Sequence, residues 1–364
     1  MLIRRLKLVN FRSWKKLDLE FDPEINIIWG LNASGKTNIL ESVAATSFGK
    51  SLHGEHESEV IREGKEAGVV EVRIERDGEI IRLGYSVGVS EYGRVTKKFS
   101  VNGVGKTRNG FVGHLAVVYF GPEDLDLVTG SPGQRRRFLD STLSIASREY
   151  QKNLLDYQKV VRARNRLLGY VREGKAKRNE LTYWNEKLLE LGAQLGQERE
   201  AFFMFINNYE NPSKKVNWDY RRSVLTASKM AENIEREISA GQTLSGPHRD
   251  DFRFFDRERN LGVYGSRGEQ RMAVLALKSA EIDFLSKVFN SKPVLLLDDI
   301  FSELDYVNRE KVLGLIKNQQ SIITSTEQHK ELKNLGKIKE FSTGELGSRS
   351  NSLVISASSL LRSV

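Results

Sequence analysis

Cysteine is absent from the 364 residues, which excludes a disulfide scaffold, a thiolate metal centre and cysteine catalysis together, and fits a reducing compartment. Long apolar runs are missing too: nothing approaches the ~18 uninterrupted apolar residues of a membrane-spanning helix. The opening Met1-Leu-Ile-Arg-Arg-Leu-Lys-Leu puts charges where a secretory leader needs an apolar core. A soluble, cytoplasmic protein with no membrane partner is expected. Histidines number only five, and His53 and His56 have no ligand spacing to His248, which argues against a histidine metal site. Neither a long-period repeat nor a low-complexity tract is present.

Against these absences stands a hydrophobic content of 39%, enough for a folded core and too high for a disordered chain. At roughly 150 residues per domain the length predicts about two domains. The formal charge is +9, and the excess is local: residues 134–178 hold thirteen Lys and Arg against Asp140, Glu149, Asp156 and Glu173. Such a stretch, with Arg135, Arg136, Arg137, Arg162, Arg164 and Arg166 as candidate contacts, is either a surface that meets a polyanion such as DNA or a solvated helix face.

Two strands are expected in the first 30 residues, Leu2 to Val9 and the apolar run Ile25 to Trp29. Between about 68 and 120, Val- and Ile-rich runs are punctuated by Asp77-Gly78 and Asn102-Gly103, which suit tight hairpins and suggest an antiparallel β subdomain. From about 134 to 208 the period becomes helical. Leu154, Val161 and Leu168 recur at seven, as do Leu188, Leu195 and Phe202 after the Gly174-Lys-Ala-Lys-Arg178 break. Two helices ending at Asn211-Pro212-Ser213 would form an antiparallel hairpin, a coiled coil or ordinary bundle packing, with arms reaching ~50 Å. The run Val294 to Leu297 is apolar enough for a central strand.

Gly30-Leu31-Asn32-Ala33-Ser34-Gly35-Lys36-Thr37 fits G-x-x-x-x-G-K-[ST], with a strand before it and a helix expected from Asn38 onward. In such a loop the glycines let backbone N–H groups curl round a β-phosphate and the helix N-terminus adds positive potential. Lys36 then bridges β and γ oxygens, and the Thr37 hydroxyl joins a Mg²⁺ shell. Asp298 at the end of the apolar strand is placed to complete that shell, and Asp299, one residue on, to polarise the water that attacks a γ-phosphate. ATP and Mg²⁺ are therefore the expected ligands and hydrolysis the expected reaction, with Asp299 and Lys36 as its catalytic residues.

Tyr264-Gly-Ser266-Arg-Gly268-Glu-Gln270-Arg271 precedes an amphipathic helix, about 28 residues before the aspartate pair, and resembles the signature of ABC-type ATPases. That resemblance implies a head-to-tail dimer in which Ser266, Gly268 and Gln270 cap the triphosphate held by a partner copy. On its own the serine is equally a helix N-cap. Ser302-Glu303-Leu304-Asp305 is similar to the D-loop of that class. Ile322 to Thr326 stands where transporters carry a switch histidine, with His329 too late, and Pro122-Glu123-Asp124 is the nearest equivalent of a Q-loop. Both departures argue against the alternative function, the nucleotide-binding subunit of an ABC transporter. About 60 residues follow Asp305, too few for a fused nuclease domain.

Asn10-Phe-Arg12-Ser-Trp14, Gly121-Pro-Glu-Asp-Leu-Asp-Leu-Val128, Arg135-Arg-Arg-Phe-Leu-Asp140 and Leu244-Ser-Gly-Pro-His-Arg-Asp-Asp251 together resemble the RecF family, small relatives of the SMC and Rad50 ATPases, over nearly the whole chain. The resemblance implies an α/β fold: an ABC-type P-loop ATPase head with a mixed or parallel core sheet, an antiparallel β subdomain and an inserted helical hairpin. The expected boundaries are 1–125 and 240–364 for the head and 126–239 for the insertion. It further implies an ATP-dependent homodimer that binds duplex and gapped DNA, hydrolyses ATP slowly, and works with RecR and RecO to load RecA. By the same comparison Arg12 lies against the nucleotide phosphates, although a strand-end arginine is also commonly a surface residue. His248 and Arg249 suit the nucleotide site, a DNA face or a turn.

Overall fold

The computed structural model describes residues 1–52, 56–209, 216–303, 306–327 and 336–349. The chain divides into two units, 1–122 with 281–364 and 123–280.

The first unit contains two sheets. One is wholly parallel, in the order Ile338–Ser342, Ile25–Trp29, Ser321–Ser325, Val294–Asp298, Val117–Phe120. Its three inner strands are almost entirely buried, which explains their apolar character. Among their buried polar residues is Asn26, whose amide accepts from the Asp22 N–H at 2.7 Å and donates to the Asp22 carbonyl at 2.9 Å, closing the turn that enters the strand. The other sheet is antiparallel, in the order Trp14–Glu20, Leu2–Phe11, Ala67–Arg76, Glu79–Val89, Val95–Val101, Val104–Lys106. The two dipeptide turns lie where expected: Asp77 and Gly78 have φ of 53° and 81°, Asn102 and Gly103 53° and 83°. The antiparallel subdomain ends sooner than expected, because Val117–Phe120 pairs in parallel with Val294–Leu297.

Register in the parallel sheet positions the site. Ile28 stands opposite Thr324, and Thr324 opposite Asp298, so the carboxyl ends of three adjacent strands form one row. Ligands of open α/β sheets bind along such an edge.

The second unit is mainly helical. Helices Pro132–Ala146, Arg148–Arg172 and Thr182–Asn207 are followed by Ala227–Ala240 and a three-stranded antiparallel sheet of Val216–Arg221, Asp251–Asp256 and Arg259–Asn260. The heptad positions Leu154, Leu168, Leu188, Leu195 and Phe202 are all buried. The expected ~50 Å arm is shorter, because Ser147 interrupts the first helix and its side chain accepts from the Tyr150 N–H. The remaining helices, of 25 and 26 residues, span about 38 Å. Residues 211–213, expected to end the second helix, lie outside the described residues.

The partition also falls elsewhere than at 125/126 and 239/240. It runs through helix Arg267–Phe289, whose first half is tied into the second unit by Lys278, 3.0 Å from Asp124 and placed over the Phe138 ring. Strand Ile338–Ser342 runs directly into helix Thr343–Arg349.

Candidate nucleotide site

Helix Lys36–Phe48 starts directly after the loop, with Gly35 as a left-handed N-cap (φ 89°). A Cβ at Gly35 would stand 2.6 Å from Ser13 Oγ and 2.9 Å from Trp14 Nε1, so the glycine is needed both for its backbone and for the close approach of the Ser13-Trp14 corner. Trp14 Nε1 donates to the Gly35 carbonyl at 3.0 Å, and Asn38 Nδ2 donates to Ser13 Oγ at 2.9 Å. On the other side Thr343 Oγ1 is 2.9 Å from Ser34 Oγ, and a Cβ at Gly30 would fall 2.0 Å from Thr343 Oγ1. The tip of the loop, Leu31, Asn32 and Ala33, is exposed.

Lys36 is buried, and its ammonium donates to the Gly30 and Leu31 carbonyls, both at 2.8 Å. Burial lowers its pKa, an effect only partly opposed by the charges of Asp299 and Asp298. The loop thus holds a cation short of negative charge. Thr37 Oγ1 donates to Asp298 Oδ1 at 3.0 Å, and the same oxygen accepts from Thr324 Oγ1 at 2.5 Å. Tyr119 OH donates to Asp298 Oδ2 at 3.0 Å. Asp299 has φ 49°, and its N–H meets the Thr324 carbonyl at 3.3 Å and the hydroxyl at 3.1 Å. A left-handed non-glycine residue directly after a strand turns the second carboxylate out of the sheet direction. The hydroxyl and carboxylate of Thr37 and Asp298 form a hard oxygen pair suited to Mg²⁺, which keeps waters and substrate oxygens in its remaining positions.

Thr324, Tyr119 and Thr343 were not read from the sequence as parts of this site. Thr324 and Tyr119 reach it from neighbouring strands and Thr343 from the start of helix Thr343–Arg349; Thr324 lies in the stretch at the switch position, and no short motif marks the other two.

Arg12 is near the loop but otherwise engaged. Its guanidinium grips Glu41 of the loop helix through Nε and Nη2, at 2.9 and 2.7 Å, and its Nη1 donates to the Glu59 carbonyl at 2.7 Å. The Glu41 hydrogen bond outweighs the effect of burial and raises the Arg12 pKa. Arg12 thus ties the corner between Phe11 and Trp14 to the helix that follows the phosphate loop.

In the second unit Ser266 and Glu269 cap each other: the Ser266 N–H donates to Glu269 Oε2 at 2.7 Å, and the Glu269 N–H donates to Ser266 Oγ at 3.3 Å. Ser266 and Gly268 are exposed, and a Cβ at Gly268 would meet nothing within 4 Å. Gln270 turns inward instead, donating to the Leu261 carbonyl at 2.9 Å, so it closes the turn and does not face a ligand. Leu304, Asp305 and His329 lie outside the described residues, as does His53. Asp124, of the nearest Q-loop equivalent, pairs with Lys278.

The six candidate DNA contacts separate. Arg137, Arg162 and Arg166 are exposed and Arg136 is half-buried, its NH1 donating to the Asp250 carbonyl at 2.9 Å. Arg135 and Arg164 are interior: Arg135 is held by Asp251 at 2.6 Å, and Arg164, 0% exposed, by Glu237 at 2.6 Å. A guanidinium committed to a buried carboxylate is not presented to a polyanion, so these two are corrected to structural residues.

A phosphate loop at the carboxyl edge of a parallel sheet, an aspartate pair one row away, and a capped Ser-Arg-Gly-Glu-Gln turn opening a long helix define an ABC-type P-loop ATPase head. The family model described as RecF/RecN/SMC N terminal domain matches residues 2–345. The chain is 36% identical to the DNA replication and repair protein RecF of Lachnoclostridium phytofermentans, covering 90% of this chain and 93% of that protein. It is also 36% identical to RecF of Moorella thermoacetica, covering 89% and 90%. The solved structure of the recombination mediator protein RecF-ATPrS in the RecFOR pathway superposes with a TM-score of 0.84 at 29% identity, over 94% of this chain and 96% of that one. The corresponding RecF-ATP structure gives 0.83 at 30%, over 90% and 93%. The chain belongs to the RecF family. Among the described residues no helix is long and apolar enough to cross a membrane.

Proposed function

We propose that the protein is an ATP-dependent DNA-binding ATPase of recombinational repair and replication restart. It binds duplex and gapped DNA, dimerises on ATP, hydrolyses it slowly and works with RecR and RecO in loading RecA. The observation that carries the reading is the meeting of Thr37 Oγ1 and Asp298 Oδ1 at 3.0 Å, beside a buried Lys36 whose ammonium donates to the Gly30 and Leu31 carbonyls. The relatives' ATP complexes and names support it.

On binding, the triphosphate takes the place of the Gly30 and Leu31 carbonyls on Lys36 and restores the charge that burial works against. Thr37 and Asp298 would hold Mg²⁺, which would supply neutralisation of the triphosphate charge. Asp299 accepts a proton from water as its oxygen attacks the γ-phosphorus, the β–γ bridging bond breaks, and ADP and phosphate leave. The exposed Ser266 and Gly268 cap the γ-phosphate of a partner copy, so hydrolysis requires two chains. Arg137, Arg162 and Arg166 contribute to the DNA face through phosphate contacts that position without reading sequence.

Sedimentation with ATP, ADP or no nucleotide, each with and without duplex, tests the reading. A dimer with ATP is expected. A monomer under saturating ATP in both arms overturns it.

A further inference from the structure

The second unit carries a hollow that neither the phosphate loop nor the signature turn uses. It has a volume of about 440 Å³ and lies between the chain after strand Val216–Arg221, helix Ala227–Ala240 and the turn at 244–249. Lys229, Arg236 and Arg249 line it, with the hydroxyls of Ser223 and Ser245 and the amide of Asn233, and no carboxylate does.

Several cations elsewhere in this unit are matched by acids: Arg135 by Asp251, Arg164 by Glu237, Arg178 by Glu235, Arg199 by Asp140 and Asp250, Arg222 by Glu200. The three around the hollow have no ion-pair partner among the described residues. Arg236 meets Asn233 Oδ1 at 3.4 Å, and Arg249 reaches Gln242 Oε1 and the Thr243 carbonyl only at 3.4 Å. Lys229 is moreover in the first turn of its helix, which has no acidic residue there. A cation at the positive end of a helix is electrostatically misplaced unless an anion joins it.

The walls are also built in advance. Gly246 N–H donates to Ser223 Oγ at 3.1 Å, joining two sides of the hollow. Behind them Arg164 holds Glu237 and Thr243 at 2.6 and 2.8 Å, and the second Glu237 oxygen accepts from the Leu244 N–H at 2.8 Å. The buried arginine thus positions the turn that presents Arg249.

We propose that this hollow is a phosphate site for the backbone of nucleic acid, in which Lys229, Arg236 and Arg249 supply the charge and Ser223, Ser245 and Asn233 the lateral hydrogen bonds. The assignment rests on the DNA-binding reading above and adds to it a site outside the basic stretch at 134–178. Guanidinium forks beside hydroxyl and amide donors match tetrahedral oxyanions, whereas an acidic peptide would also want a buried aromatic or aliphatic anchor.

The test is duplex-oligonucleotide binding across a salt series for the full chain and for Lys229→Gln/Arg236→Gln/Arg249→Gln. Each phosphate contact adds about 0.9 to the slope of log affinity against log salt, about fivefold in affinity at 0.15 M salt. With one phosphate held in the hollow, the triple variant should therefore be shallower by about 1 in slope and weaker by roughly fivefold at that salt. Its thermal midpoint and its binding of a fluorescent ATP analogue should be unchanged, and Arg236→Lys/Arg249→Lys should keep the steep slope. A wild-type chain that binds no duplex at any salt sinks the DNA reading and this site with it. A steep wild-type slope matched by the triple variant sinks the site alone. An equal loss of ATP binding would assign the phosphate to free nucleotide, and unchanged DNA binding with loss of a polyglutamate probe would assign the hollow to an acidic protein. Either overturns the proposal.

Discussion

Replacing Arg164 separates the two roles that a basic residue in the 134–178 stretch can have. Its guanidinium donates to Glu237 Oε2 at 2.6 Å, Thr243 Oγ1 at 2.8 Å and Asn185 Oδ1 at 2.8 Å, and Glu237 is itself only 1% exposed. Arg164→Met keeps most of the side-chain length but leaves a buried carboxylate without its cation. Removing one partner of a buried pair costs about 3–5 kcal/mol. For a body of this size 1 kcal/mol moves the melting midpoint by about 2–4 °C, so a fall of roughly 6–20 °C is expected. The double variant Arg164→Met/Glu237→Leu should recover only part of the loss: an apolar pair of similar volume often equals a buried ion pair in stability, but the Leu244 N–H loses its Glu237 acceptor at 2.8 Å, at a cost of about 1–3 kcal/mol. Thr243 Oγ1 still has Asn165 Oδ1 at 2.7 Å, and the half-buried Asn185 can turn to water. Thermal melts followed by circular dichroism give the midpoints, and salt titration of duplex binding gives the other readout. An unchanged midpoint for Arg164→Met together with a shallower salt slope would refute the argument and return Arg164 to the DNA face.

Three further perturbations address the nucleotide site and one titrating group. Asp299→Asn should abolish phosphate release yet retain the ATP dimer in sedimentation; a monomer at saturating ATP removes the assigned role. Ser266→Arg should leave ATP binding to the single chain intact and block dimerisation, so loss of binding by the isolated chain contradicts action across two copies. Burial lowers the His248 pKa below its ordinary 6.5, with Arg249 and Arg136 adding repulsion. Its Nδ1 takes the Tyr157 hydroxyl at 2.7 Å and its Nε2 faces the Thr243 carbonyl at 3.0 Å, an arrangement that suits the neutral ring. The unfolded chain then binds a proton that the fold refuses, so stability falls as pH drops below about 6.5 and levels off below the folded value. His248→Gln should flatten that part of the melting-midpoint profile, and an unchanged profile would show that the ring titrates freely.

The loop from Gly30 to Thr37 and the pair Asp298-Asp299 were legible in sequence because each is contiguous and each follows an apolar strand. The helical period was legible in Leu154, Leu168, Leu188 and Leu195 for the same local reason. What the pattern could not give was pairing between distant residues. Thr324 and Tyr119 converge on Asp298 only through strand register, and nothing local distinguishes the buried Arg135 and Arg164 from the exposed Arg137 and Arg166. Arginines at helical spacing report an available charge, and only the acids brought opposite them by folding decide whether that charge stays free. Gln270 likewise matched the signature by letter but closes its own turn. Strands Val216–Arg221 and Asp251–Asp256 are separated in sequence by a whole helix, which hid the small sheet they form.

The strand that leads into the phosphate loop, Ile25–Trp29, is paired on one side with Ser321–Ser325 and on the other with Ile338–Ser342, and Thr343 then closes on Ser34. During translation Ile25–Trp29 therefore emerges with both neighbours still unmade and must wait for them before its sheet can assemble, whereas Leu2–Phe11 and Trp14–Glu20 can already pair with each other and with Ala67–Arg76. A ribosome that stalls anywhere before residue 321 releases a chain with an intact loop motif and no frame to hold it. The frame of the phosphate loop is in this way completed late in biosynthesis, once Ser321–Ser325 and Ile338–Ser342 have been made.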